Sequence, residues 1–337
     1  MPACEAVRSR RAAILNASPG EPMRKKDINA IKADVVRLSV ASNSALVVFK
    51  LVVGLFIGSV SVLSEAIHSG IDLAAAFIAY FAVRSSAQPA DHDHHYGHGK
   101  FENISGFVEA ILIFLAAAWI IYEAVKKLIH PEPIEFIGWG ILVMGLSSFL
   151  NLAVSQMLFK VGNETDSIAI KADAWHLRTD VYTSVGVMTG LGLIWLIELL
   201  WTGHHVHWID PLAAILVALM IIKAAYDLTV QSLGDLLDIS LPQEYNAKIA
   251  ALIKNQPGVI SFKRLRTRKS GADKFIEFDI LVEAGMTVEK AHVLTDNISA
   301  DIERDLPNSK VTIHIEPCDM KCPPGCVPDC SRPRCGR

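Results

Sequence analysis

Two histidine–aspartate pairs carry the chemistry this sequence can be read for. His176 and Asp180 stand four residues apart inside the run Ala174-Trp175-His176-Leu177-Arg178-Thr179-Asp180. His68 and Asp72 repeat that spacing in an earlier apolar segment, His68-Ser69-Gly70-Ile71-Asp72. On a helix, positions i and i+4 share a face. Two helices that each offer one imidazole and one carboxylate can therefore close four ligands around one divalent cation. Two aspartate charges neutralise one M²⁺, and two nitrogens with two oxygens in a tetrahedral arrangement suit Zn²⁺ and, by softness, Cd²⁺, Co²⁺ or Fe²⁺. The lack of cysteine and methionine in the set argues against Cu⁺, and Ca²⁺ or Mg²⁺ would want more oxygens. The same groups bind protons, because a neutral imidazole ligates metal and a protonated one repels it. A site open to each side of a membrane in turn would convert that competition into metal/proton exchange.

The elements that must position these pairs are long apolar segments. The chain is 51% hydrophobic over 337 residues, with a mean hydropathy of +0.35. Six apolar runs, at about 36–58, 61–83, 102–127, 134–159, 168–199 and 208–232, each reach the ~20 residues that cross ~30 Å of hydrocarbon. Ile57-Gly58-Ser59 turns the chain between the first two. The fifth run carries Lys171, Asp173 and Arg178 in its first turns, which predicts that this part projects into water. An ionisable group in hydrocarbon costs on the order of 3 kcal/mol even on lenient scales. Four at one level call for a compensating ion.

Lysine and arginine placement sets the orientation. Arg24, Lys25, Lys26, Lys32 and Arg37 precede the first span, Arg84 and Lys100 flank the second connection, and Lys160 and Lys171 flank the fourth. Lys126 and Lys127 run against the pattern, but the balance predicts both termini in the cytoplasm. With that topology both aspartates lie roughly 18 Å into the bilayer, near its midplane. The net charge of −3 gives no basic signal for nucleic acid.

The expected organisation is a loose cytoplasmic tail over 1–34, with Met23 as a second candidate start, and a six-helix membrane domain over 35–236. A cytoplasmic domain follows over 237–317, then a Cys/Pro-rich tail over 318–337. The apolar run near the N-terminus, Ala12 to Leu15, is too short for a signal-peptide core. In the third part, Pro242–Gln256 reads as an amphipathic helix, Val259–Arg268 and Lys274–Glu283 as strands, Thr287–Asp305 as a helix and Val311–Glu316 as a last strand. The helix's apolar face carries Val288, Ala291, Leu294, Ile298 and Ile302. That order predicts a ferredoxin-like α+β domain, αββαβ. Strand alternation points Ile276, Phe278 and Ile280 inward and Glu277 and Asp279 outward, and places His314 and Glu316 on one face.

Cys318, Cys322, Cys326, Cys330 and Cys335 fall in the last twenty residues, interrupted by prolines. A flexible thiolate trap, a redox or disordered tail, and a disulfide-bonded tail all fit, and in the cytosol the thiols would stay reduced. Two other classes of function compete with transport. An intramembrane metalloenzyme is disfavoured because four protein ligands leave no open position and no H-E-x-x-H glutamate is present. A membrane-anchored metal sensor or scaffold fits the composition and would be separated by measured flux.

Taken together, these motifs resemble the cation diffusion facilitator family over residues from about 36 to 317. The resemblance rests on Gly58-Ser59-Val60 leading into Ser64-Glu65-Ala66-Ile67-His68-Ser69, the loop from Pro89-Ala90-Asp91 to Gly97-His98-Gly99-Lys100, the His176/Asp180 pair and the αββαβ domain. It implies a homodimer in a lipid bilayer, the inner membrane of a cell, that exports divalent transition metals. His68, Asp72, His176 and Asp180 match the transport site, in the form of the zinc-preferring branch. The resemblance also implies a loop metal site at Asp91, His94 and His98, and an ion pair of Lys100 with Asp235 that interlocks the protomers. It implies a regulatory metal site in the cytoplasmic domain at Asp279, His292, His314 and Glu316. Lys263 departs from the pattern where zinc-binding relatives can carry histidine, and of the tail only Cys318 has a counterpart in relatives.

Overall fold

The computed structural model describes residues 25–57, 60–129, 138–200 and 208–318. These residues form two compact units that divide between Leu233 and Gly234. The first holds six long helices, except for the first residue of α1 and the last three of α6: α1 (Lys25–Ile57), α2 (Val60–Ser86), α3 (Lys100–Ile129), α4 (Gly138–Glu164), α5 (Ile168–Leu200) and α6 (Ile209–Leu236). Among the described residues, stretches of α1, α3 and α6 are by themselves long and apolar enough to cross a membrane. Their outward side chains are large and apolar, with Phe56, Leu115, Trp119, Leu216 and Met220 all exposed. A surface of that kind is stable against lipid rather than water.

α5 is the central helix. Ala169, Ile170, Ala174 and Leu177 pack against Ile31, Val35 and Val36 of α1, Ala82 and Val83 of α2, and Val154, Leu158 and Val161 of α4. On its other side Ile168 and Ala172 meet Ala110, Ile113 and Ala117 of α3 and Ile221, Ala225 and Leu228 of α6. The small residues let neighbouring helices approach closely, the usual basis of packing between membrane helices. The expectation that the start of this span projects into water is corrected by the structure: Ile168, Ala169, Ile170, Ala172, Asp173 and Ala174 are all buried. Lys171 keeps partial exposure and reaches Asp166 at 3.4 Å. Polar residues here mark an interior between helices, not a solvated end.

The first helix also begins earlier than the loose tail expected over 1–34 allows. α1 runs from Lys25, and Ile28, Ile31, Val35 and Val36 are buried at helical spacing. The signal was present but short and set among charges. The expected turn at Gly58-Ser59, residues 1–24 of the tail, and residues 319–337 lie outside the described residues.

One buried ion pair ties the ends of four elements together. Lys32 of α1 donates to Glu102 of α3, and both side chains are almost fully buried. Glu102 also accepts from Ser86 of α2 at 2.7 Å and from Ser167, which immediately precedes α5. The α4–α5 connection is a tight reversal. Asp166 takes a positive φ of 52°, Thr165 N–H donates to Val161 O at 2.9 Å, and Ser167 N–H donates to Gly162 O at 3.0 Å. Gly162 leaves room for Lys171, since a Cβ there would stand 3.2 Å from the Lys171 backbone nitrogen.

The second unit is the small αββαβ domain. α7 (Gln243–Lys254) leads into β1 (Ser261–Ser270), β2 (Asp273–Val282), α8 (Val288–Asp305) and β3 (Ser309–Pro317). The sheet order is β1-β2-β3, antiparallel between β1 and β2 and parallel between β2 and β3. Ile276, Phe278 and Ile280 of β2 face Ile249 and Ile253 of α7 and Leu294, Ile298 and Ile302 of α8 across one core. Thr287 caps α8 by accepting from the Lys290 N–H. Val288, expected on the apolar face, is the first residue of α8 and is exposed.

Candidate metal centres

Three of the four expected membrane ligands converge. Asp72 from α2 and His176 and Asp180 from α5 each offer a ligand atom within 4.8 Å of the others. His176 Nε2 lies 3.2 Å from Asp72 Oδ1, and both side chains are buried. His68 stands on α2 one turn before Asp72; its side chain lies outside the described residues. The centre is supported by residues the sequence reading passed over. Asn151 of α4 donates to Asp180 Oδ2 at 3.5 Å. Lys50 of α1 is buried and donates to Ser69, the neighbour of His68, at 2.8 Å. Each is a polar residue inside an apolar run, the signal that could have found it. Neither has a partner at i±4 on its own helix to declare a site.

The loop between α2 and α3 gathers its own group. Ligand atoms of Asp91, His94 and His98 lie within 4.8 Å of one another. His98 Nε2 is 3.1 Å and His94 Nδ1 3.4 Å from the Asp91 carboxylate. The other ring nitrogen of His98, Nδ1, faces Pro89 O at 3.1 Å. That bond fixes the ring and leaves Nε2 for a metal. Asp91 is held by the backbone N–H of His94 at 2.7 Å and of Asp93 at 3.0 Å. These bonds, that of His94 first, lower its pKa below the usual carboxylate range. The stabilisation they give the turn is thus complete at neutral pH and is lost only as acid brings the pH down through the lowered value. Gly97, at φ +87°, makes the bend that returns His98 to the cluster. The rings of His92 and His95, outside it, lie 6.5 Å apart and tilted by 52°.

The cytoplasmic set expected at Asp279, His292, His314 and Glu316 is arranged differently. Asp279 is buried, not outward and free, because Arg264 covers it with a charge-assisted hydrogen bond. Arg264 also reaches Glu316 at 3.0 Å, and Lys263 takes the other Glu316 oxygen at 2.5 Å. The β1 register shifts between Lys263 and Arg266, with Arg264 at a positive φ of 55°, and this bulge turns both cations onto the acids. His314 stands 3.7 Å from Glu316, while His292 is exposed beside Asp296. Among the described residues these four do not form a ligand set within one chain: two cations of the chain already hold the carboxylates.

Replacing Arg264 by alanine should therefore raise the zinc affinity of this face. The expected gain is a few-fold at most, since solvent screens an ion pair whose cation is exposed. Calorimetric titration of the full chain in the Asp72→Ala, His98→Ala background, with and without Arg264→Ala, would read it as the difference between the two. An unchanged affinity would show that Arg264 does not compete for these acids.

Lys100 opens α3 in the first unit and Asp235 lies in the last turn of α6, in the second. Cys318 continues the β3 edge, its N–H donating to Val282 O at 2.8 Å, and its thiol is free and half-buried. Cys322, Cys326, Cys330 and Cys335 lie outside the described residues.

Comparison with known proteins agrees over most of the chain. Residues 36–237 match the family described as cation efflux transmembrane domain, and residues 241–318 match the cation efflux protein cytoplasmic domain. An uncharacterized transporter of Synechocystis sp. is 36% identical over 281 residues, 83% of this chain and 88% of that one. The cation-efflux pump FieF of Klebsiella pneumoniae strain 342 is 32% identical over 277 residues, 82% of this chain and 90% of the pump. A solved structure, the metal-bound C-terminal domain of the CzcD transporter from Thermotoga maritima, is 35% identical and covers 23% of this chain and 91% of that domain, with a TM-score of 0.22.

Proposed function

Because the chain belongs to the cation efflux family, the cation diffusion facilitators, we propose that it exports a divalent transition metal, Zn²⁺ best, in exchange for protons. The observation that carries this reading is the convergence of Asp72, His176 and Asp180 between two helices of a membrane domain. The donor set supports the choice of metal. Imidazole and carboxylate neutralise and ligate Zn²⁺ in a tetrahedron completed by His68, and Cd²⁺, Fe²⁺ and Co²⁺ are the competing substrates. The coupling follows from the same atoms. When the ion leaves, two carboxylates and the imidazoles remain in a place where bare charge is costly, and protons relieve that cost.

In this reading α2 and α5 change their exposure from one side to the other, with both termini in the cytoplasm of a cell whose inner membrane holds the protein. The loop group at Asp91, His94 and His98 takes a second ion. The chain pairs with a second copy, helped by Lys100 and Asp235. No step runs through the cytoplasmic face, where Lys263 and Arg264 already serve as counter-charges. Purified protein in liposomes tests the proposal by uptake of Zn²⁺, Cd²⁺, Fe²⁺ and Mn²⁺ under an imposed pH gradient. Zn²⁺ should be favoured and should move faster when protons can run the opposite way. Metal flux that ignores the gradient would remove the exchange mechanism.

A further inference from the structure

A layer of buried oxygen atoms without partners lies just before the membrane metal centre. Asp173 of α5 is fully buried, and neither of its carboxylate oxygens has a hydrogen-bond partner among the described residues. Glu109 of α3 is fully buried too. One of its oxygens accepts from Ser105 at 3.2 Å and the other, Oε2, is unpartnered. The Ser39 hydroxyl of α1 is buried and likewise unpartnered. Among the described residues no lysine or arginine reaches either acid.

The helix register brings these groups together. Lys32, Glu102 and Ser167 meet in one bonded layer, two turns into α1 and at the starts of α3 and α5. The three helices therefore leave that layer side by side in the same direction. Ser39 and Glu109 each lie seven residues beyond their members of the layer, and Asp173 lies six beyond Ser167. At 1.5 Å per residue these are rises of about 10.5, 10.5 and 9 Å. Seven residues are also two turns, so Ser39 and Glu109 keep the inward faces of Lys32 and Glu102. Glu109 and Asp173 are close enough to interact electrostatically, and Ser39 faces Asp173. The α3–α5 seam is tight here: a Cβ on Gly106 would stand 3.2 Å from Ile168. His176 comes three residues after Asp173, about 4.5 Å further along α5.

The only charge-bearing group near both acids among the described residues is the His176 imidazole, itself a ligand of the metal centre, and two carboxylates in an interior are costly unless a further cation joins them. Building on the transporter reading, we propose that Glu109 and Asp173, with Ser39 and Ser105, form a second intramembrane cation site of all-oxygen chemistry. It is a station for the divalent ion between the Glu102 layer and His176. Hard oxygen donors without imidazole hold a borderline ion such as Zn²⁺ less tightly than the mixed centre does. A station of that kind draws the ion in and passes it on without trapping it.

Co²⁺ is the probe for the test, because oxygen-ligated and tetrahedral nitrogen-containing sites give different absorption. The full-length protein is titrated as wild type, as Glu109→Gln with Asp173→Asn, and as Asp180→Ala, with bound ions counted per chain and Zn²⁺ flux measured in liposomes. The double variant should bind one ion fewer and keep the tetrahedral band, of which Asp180→Ala should remove the part that does not belong to the loop group. Its KM for Zn²⁺ should rise at least tenfold. An unchanged ion count overturns the station even if flux falls, because the acids then carry protons or hold structure. Loss of the tetrahedral band in the double variant also overturns it. If the double variant does not elute as a single species, the isosteric Glu109→Gln alone should weaken the oxygen-type ion at least tenfold, while Glu109→Asp retains it. The failure of the transporter reading looks different: wild type would show no flux, while the ion count still decides the station.

Discussion

Asp72→Ala lowers metal flux at least about 100-fold, and Asp72→Asn lowers it nearly as far, because losing a group that merely orients a ligand already costs ~10–100-fold. Asp72 is itself a candidate ligand. Its carboxylate touches His176 in a buried pocket, within reach of Asp180. Removing it takes away half of the negative charge that balances a dication and leaves the His176 ring without its acceptor. Asparagine keeps the shape and a hydrogen bond but not the charge, so its failure separates charge neutralisation from packing. The measurement is initial uptake into liposomes at saturating Zn²⁺, with bound metal counted in parallel. An alanine variant that retains half of the wild-type rate would mean the ion passes elsewhere.

The largest effect on stability falls at Glu102. Glu102→Ala leaves Lys32 as a buried cation and takes the acceptor from Ser86 and Ser167. Breaking a buried pair by removing one partner costs about 3–5 kcal/mol, most of it from the charge left behind. Lys32→Met combined with Glu102→Leu removes both charges and should recover much of the loss. Thermal unfolding in detergent of Lys32→Met, Glu102→Leu and the double gives the coupling directly. If Glu102→Ala unfolds within a degree or two of wild type, the layer that aligns α1, α3 and α5 is not held by this pair.

What the sequence disclosed follows from what repeats along one helix or strand. His176 and Asp180 announce themselves because their spacing is one helical turn. The Asp91, His94 and His98 group is likewise local. The αββαβ domain is readable from alternation and from the face carrying Ala291, Leu294, Ile298 and Ile302. Glu102, Glu109, Asn151 and Lys50 are different. Each meets a group on another helix, so spacing along its own helix does not reveal what it meets. Asp173 was misread for the same reason: beside Lys171 and Arg178 it resembles a wet helix end, and only the packing of α1, α3 and α4 around α5 shows it to be interior. The grouping of Asp279 with Glu316 rests on the family resemblance, not on strand spacing. The bulge that swings Arg264 onto them was not legible, because it depends on a register shift and a left-handed backbone at a residue that is not glycine.

The parallel rung between β2 and β3 bears on how the chain is made. β3 must wait for the whole of α8 to be synthesised before it can dock, whereas β1 and β2 can zip together as a local hairpin. Translation that halts anywhere between Glu283 and Asn308 would leave β2 with a bare row of amides and carbonyls, a ready template for aggregation.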